Sequence, residues 1–149
     1  LALAVGRGAS GVAPGATATD ADVDLTVKIF SAAGVAVRVE ESEIDSVAAI
    51  SGSGAAYVYF LIENLRDAAI EDGMEPEKAA LLARQTLIGA ARQLEQENEP
   101  PEDLRRRITS KKGTTEAAIN AMAEAGLPAA VRAGYQANKR RSRELAEGK

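Results

Sequence analysis

The apolar positions of this chain switch between alternating and helical spacing up to about residue 40 and keep the helical period beyond it. Before that point residues 1–15 alternate small apolar residues with glycine, and residues 35–39 (Val-Ala-Val-Arg-Val) alternate again. Both patterns predict short strands, the first leading into a turn at Pro14-Gly15. Between them Thr19 stands where an N-cap is needed, Val23, Val27 and Phe30 recur at i, i+4 and i+7, and Gly34 follows as a stop. Strand, helix, strand in so short a stretch reads as the tail of an α/β sheet. Alone it is too small to cover both faces of a sheet.

Beyond it the period is helical throughout. One helix is expected over residues 43–50 and, past an interruption at Ser51-Gly-Ser-Gly54, another over residues 55–71. In the second, Tyr57, Phe60, Leu61, Leu65 and Ala68 share a face. The glycines of the interruption suit a helix break, with the serines capping the second helix. Gly73 ends this helix, and Pro76 opens the next, which carries Leu81, Leu82, Leu87, Ile88 and Leu94 to about Glu97. Pro100-Pro101 forces a break before a short helix with Leu104 and Ile108. A Thr115 cap predicts a helix over residues 117–125 stopped by Gly126, and a last helix spans residues 128–146. Residues 55–70 and 79–91 carry apolar side chains on more than one face. A helix wet on one side does not look like this, so an obligate dimer is expected.

Composition narrows the chemistry. There is no cysteine and no histidine, which excludes disulfides, thiolate and imidazole metal sites, and imidazole acid–base catalysis. No metal site is expected. Aromatics are two Phe, three Tyr and no Trp, so the core must be built from alanine and aliphatic residues. No apolar stretch reads as long enough for a membrane span and no signal peptide is evident, which predicts a soluble, cytoplasmic protein with no membrane partner. The first residue is not methionine, as expected of a fragment. Residues 1–100 hold 7 basic and 16 acidic side chains, a net −9, whereas residues 101–149 hold 11 and 6, a net +5. The two parts should attract each other, within a subunit or across a dimer. The basic tail Lys139-Arg-Arg-Ser-Arg143 has no interleaved aromatics, so no nucleic-acid partner is expected.

The densest chemistry lies in Thr109-Ser110-Lys111-Lys112-Gly113-Thr114-Thr115-Glu116, between two helical segments. Hydroxyl residues at a helix start, a glycine that lets the backbone approach a ligand, and two lysines together suit a carboxylate or phosphate. A plain capped loop has the same features, and the turn alone does not separate the two.

Two further segments do. Asp-Ser-Val-Ala-Ala-Ile-Ser-Gly-Ser-Gly-Ala-Ala-Tyr at residues 45–57 precedes the turn, and Arg141-Ser-Arg-Glu-Leu145 follows it. In that order the three resemble the C-terminal part of pyrroline-5-carboxylate reductase, from about Leu1 to Leu145. The resemblance implies a mainly α fold. It consists of a helical dimerisation domain like the C-terminal domain of 6-phosphogluconate dehydrogenase, preceded by a β-α-β remnant of a Rossmann-type domain. Residues 1–40 would be the tail of the NAD(P)-binding domain and residues 41–149 the all-helical dimerisation and substrate-binding domain. The implied reaction is reduction of 1-pyrroline-5-carboxylate to L-proline with NADPH or NADH, by a homodimer that in some members joins into a ring of dimers. By resemblance, Ser110 and the backbone around Gly113, Thr114 and Thr115 hold the substrate carboxylate. Thr115 is the catalytic hydroxyl facing the ring nitrogen. Glu41 lies near substrate, and Arg107 can reach the cofactor; for both, solvated surface charge is the alternative.

Two departures stand out. Many members have glycine where this chain has Lys112, and proline where it has Ala55. Nothing in the 149 residues replaces the family's nucleotide-binding strands, whose G-x-G-x-x-G turn opens a helix, so the chain by itself is expected not to turn over. A non-catalytic helical dimerisation module and a reductase of a related cyclic imino acid are the competing readings.

Overall fold

The computed structural model describes residues 2–97 and 99–149; Leu1, where the first predicted strand and the resemblance begin, lies outside them. The fold is mainly helical with one two-stranded parallel sheet among the described residues. The chain divides into two compact units, residues 1–57 with 131–149, and residues 58–130.

In the first unit a short 3-10 turn, Ala2–Val5, precedes β1, Gly8–Val12. The predicted first strand is therefore shorter than its pattern, because Gly6 turns the chain at φ 70° before pairing begins. Helix α1, Asp20–Ser31, starts at Thr19 as expected, with Thr19 and Asp22 capping each other's backbone N–H. It leads to β2, Gly34–Arg38, which pairs with β1 from Gly8↔Gly34 to Val12↔Arg38. Val23 of α1 is 3% exposed and forms part of the small core. The strands meet through glycine: a Cβ on Gly34 would lie 2.1 Å from the Gly8 carbonyl oxygen. On the other side of β1, a Cβ on Gly11 would lie 2.7 Å from Val47.

The predicted break at residues 51–54 is not a break. A 3-10 turn, Glu41–Glu43, runs into α2, Ile44–Val47, then a five-residue π-turn, Ala48–Gly52, and then α3, Gly54–Glu71. The helical path widens to take one extra residue and continues, the Ser53 N–H reaching the Ala48 carbonyl at 3.0 Å. The serines do not cap either. Ser51 Oγ donates back to the Val47 carbonyl (3.0 Å), and Ser53 Oγ accepts from Asn138 Nδ2 (2.8 Å). Because the π-turn joins two stretches, the helical run Glu41–Glu71 is 31 residues and, by length and composition only, apolar enough to cross a membrane. The expectation of no such stretch rested on two separate helices, and their fusion corrects it.

The C-terminal part of α7, Leu127–Ala146, belongs to the same unit. Its basic residues meet the acidic segment as the charge distribution predicts. Arg143 Nε (2.8 Å) and Ser142 Oγ (2.7 Å) both donate to the Asp45 carboxylate, and Lys139 Nζ donates to Ser46 Oγ (2.8 Å). The Arg143 bond, then the Ser142 bond, hold the Asp45 carboxyl below the usual carboxylate range.

The second unit holds most of α3, then α4, Pro76–Gln96, α5, Pro101–Arg107, and α6, Thr114–Glu124. Gly73 (φ 96°) and Gly126 (φ 93°) stop α3 and α6 as expected, and prolines open α4 and α5. Ala79, Ala83 and Leu104 are its buried apolar residues. By contrast Phe60 is 67% exposed and Leu81 66%, and no residue of α3 is buried.

Gly34→Ala is expected to lower stability by roughly 3 kcal/mol or more, since the new methyl meets backbone. Gly15→Ala, which meets open space, serves as the control; urea unfolding followed by circular dichroism measures both. A second expectation concerns acid. Asp45 has a depressed folded pKa, so its contribution is present above the unfolded value of about 3.9 and is lost as pH falls through the folded value. The stability advantage of the native chain over Asp45→Asn should therefore shrink as the pH is lowered below about 4.

Candidate functional site

The turn after α5 is built step by step from local bonds. Thr109 Oγ1 donates to the Arg105 carbonyl (2.6 Å) and its N–H to the Arg106 carbonyl (3.1 Å), which closes α5. The Gly113 N–H then donates to the Ser110 carbonyl at 3.0 Å, folding Ser110–Gly113 into a tight turn. Lys112 sits inside that turn at φ 60°, a left-handed backbone that ordinary residues adopt at a cost. Ser110 folds over Gly113 so closely that a Cβ at 113 would lie 2.3 Å from Ser110 Oγ and 3.0 Å from the Ser110 carbonyl.

Helix α6 begins one residue later. Its cap is Gly113 in extended conformation, not Thr115, and no side chain caps it. The expected Thr115 cap is displaced because Glu116, at the third helical position, reaches back to accept the Lys112 N–H at 2.6 Å. That bond starts the helix earlier and leaves both threonines inside its first turn. Their backbone N–H groups have no carbonyl four residues back to pair with, so they point out of the helix end. Ser110 and Thr114 are exposed and Thr115 is half-buried.

Four of the predicted residues are thus gathered in one turn: Ser110, Gly113, Thr114 and Thr115. The Gly113 N–H is already engaged, so Thr114 and Thr115 supply the backbone donors, with Ser110 Oγ beside them. Lys111, Lys112 and the helix dipole make the end positive, while the Glu116 carboxylate offsets part of that charge. The arrangement suits one small anion. Glu116 was not anticipated, although its position three residues after the cap is the signal that would have revealed it.

The two remaining predicted residues lie elsewhere. Arg107, in the same unit as the turn, is an ion-pair centre, with one nitrogen on Glu97 and another 3.4 Å from Glu99. Hydrogen bonding to Glu97 raises its pKa, keeping it protonated. Glu41 is exposed in the 3-10 turn of the first unit, whereas the Ser110–Thr115 turn belongs to the second. Among the described residues no group of three or more acidic side chains is placed to hold a metal ion.

Residues 41–145, which include this turn, match the family model for pyrroline-5-carboxylate reductase dimerisation. The chain belongs to this family. A pyrroline-5-carboxylate reductase of Methanosarcina acetivorans is 41% identical over 145 residues, which is 97% of this chain and 54% of that protein. Among solved structures, a pyrroline-5-carboxylate reductase from Coxiella burnetii superposes with a TM-score of 0.86 at 35% identity, covering 95% of this chain and 53% of that one. The Plasmodium falciparum pyrroline carboxylate reductase with NADP bound gives a TM-score of 0.80 at 27% identity, over 95% of this chain and 54% of that one. The chain therefore spans about half the length of the relatives it matches.

The left-handed Lys112 yields a direct expectation. Lys112→Gly should raise stability by up to about 1 kcal/mol, the relief of strain exceeding the entropy that glycine adds to the unfolded chain. Lys112→Val should lower it, because a β-branched residue tolerates positive φ poorly. Urea denaturation of the three proteins checks the order.

Proposed function

We propose that this chain is the substrate-binding and dimerisation half of an enzyme that reduces 1-pyrroline-5-carboxylate to L-proline with NADPH or NADH. The observation that carries the reading is the coincidence of two facts. The family model covers residues 41–145, and the Ser110–Thr115 turn inside it opens α6 with a helix start that no side chain caps. In this reading residues 1–40 are the tail of the dinucleotide-binding domain and residues 41–149 the dimerisation domain, which accords with a family match beginning at residue 41.

In this reading the roles are those that the family resemblance implies. Ser110 Oγ and the N–H groups of Thr114 and Thr115 bind the substrate carboxylate, fixing the ring against the start of α6. The Thr115 hydroxyl donates a hydrogen bond to the ring nitrogen and polarises the C=N bond. A nicotinamide, when bound, would supply the hydride for the ring carbon, and the proton that the ring nitrogen gains would come from solvent. Arg107 offers a cation for the cofactor, provided that its phosphate replaces Glu97 or Glu99 as the partner. For Glu41 the family resemblance alone supports a role near substrate. The uncovered side chains of α3 and α4, Phe60 and Leu81 foremost, are the surface that a second copy buries.

One observation favours the competing reading of a non-catalytic dimerisation module. Glu116 brings a carboxylate to the helix end where a substrate carboxylate is to bind.

The test uses the purified 149-residue chain. Calorimetry should detect proline binding, and Thr115→Ala should weaken it about tenfold, the loss of one hydrogen bond. Sedimentation velocity should give twice the mass of the 15.5 kDa chain. No NADPH oxidation is expected with pyrroline-5-carboxylate, since the G-x-G-x-x-G match in these residues, Gly6-Arg-Gly-Ala-Ser-Gly11, runs into strand β1 and does not open a helix. A dimer that ignores proline would establish the non-catalytic reading.

A further inference from the structure

Four side-chain hydrogen bonds join α7 to residues 45–53, and they are arranged around one irregular feature. On α7 the donors are Asn138, Lys139, Ser142 and Arg143, whose spacing places them on one face of the helix. Their acceptors flank the π-turn on both sides. Asp45 and Ser46 precede it, and Ser53 follows it. Each of these contacts spans at least 85 residues of sequence, so none is a by-product of local helix geometry.

A π-turn carries one residue more than an α-helix accommodates, and it persists only where its surroundings hold it. Within Ala48-Ala-Ile-Ser-Gly52, Ala49 is buried, but among the described residues the one side-chain hydrogen bond there is Ser51 back to Val47, which does not span the turn. Gly52 further loosens the local helix. The bonds to α7 fix the segment at its two ends and so fix how many residues lie between them. The same segment walls a cleft. Val47, Ala48, Ser51 and Gly52, together with Gly8 and Gly11 of β1, line a space of about 420 Å³.

We infer that the polar stripe of α7 is a clamp that holds the extra residue of the π-turn in place and thereby sets the wall of the β1 cleft. With the clamp released at either end, the turn reverts to α register. Ser53 N–H then moves from the Ala48 to the Ala49 carbonyl, and the residues after the turn rotate by roughly 100°, one helical step. Asp45 is the hub, since it takes two of the four bonds. Asn138 is the distal tie.

Hydrogen exchange on the full 149-residue chain tests this, read over residues 48–56 with residues 76–96 of α4 as the internal reference. Asn138→Ala and Asp45→Asn, which act on opposite sides of the π-turn, should each speed exchange over residues 48–56 about tenfold while leaving α4 within about twofold. Should Asp45→Asn fail to fold, Ser142→Ala removes one of the two bonds on the same side and is expected to act in the same direction. If residues 48–56 keep their native rates in the variants, the turn holds itself and the clamp is refuted. It is equally refuted if α4 accelerates as much as residues 48–56, because the bonds then contribute only to general stability.

Discussion

Helices α3 and α4 carry Phe60, Leu61, Leu65, Leu81 and Leu82 to the surface of a single chain, and apolar area left in water forgoes about 25 cal/mol for each Å² that could be buried. The chain has few other means of holding these helices. Among the described residues the buried apolar ones are Val23, Ala49, Ala79, Ala83 and Leu104, three of them alanines, and the sequence has no cysteine for a disulfide. Covering that surface is therefore the condition on which the helical part depends. Membership of a dimerisation family gives the surface its occupant in the proposed reading, and the apolar run Glu41–Glu71 is part of that surface.

The first unit solves a different problem. A two-stranded parallel sheet is too small to stand alone, so it is tightened wherever possible. Gly8 and Gly34 let the strands approach, Gly11 admits Val47, and α1 is fixed at its start by the reciprocal Thr19–Asp22 cap. Electrostatics then recruits the far end of the chain: Arg143 and Ser142 converge on Asp45. The acidic early part and the basic late part of the sequence thus meet within one unit through named pairs.

Local backbone stereochemistry decides the features that could be read from the sequence. Gly73 and Gly126 adopt the left-handed stops that glycine permits, Pro76 and Pro101 open helices, and Thr19 caps α1. The features that escaped are those decided by a partner. The π-turn depends on a segment that is distant in sequence but adjacent in space, so Ser51-Gly-Ser-Gly54 read as a break. The start of α6 moved from Thr115 to Gly113 because the Glu116 carboxylate reaches backward, a choice that the hydroxyl-rich sequence left open. For the candidate site, the grouping of Ser110, Gly113, Thr114 and Thr115 was legible since they lie within one short stretch of sequence. The two isolated residues, Glu41 and Arg107, had only their charge to announce them.

The contact between Ser110 and Gly113 also bears on how this segment can drift by mutation. Residue 112 meets only a backbone preference, so many side chains are admitted there at graded cost, as its lysine demonstrates. Position 113 is closed to any side chain while Ser110 stays where it is, since the obstruction includes the carbonyl as well as the hydroxyl. A lineage can exchange residue 112 in one step. It can exchange residue 113 only by rebuilding the turn, and with it the helix start that presents Thr114 and Thr115.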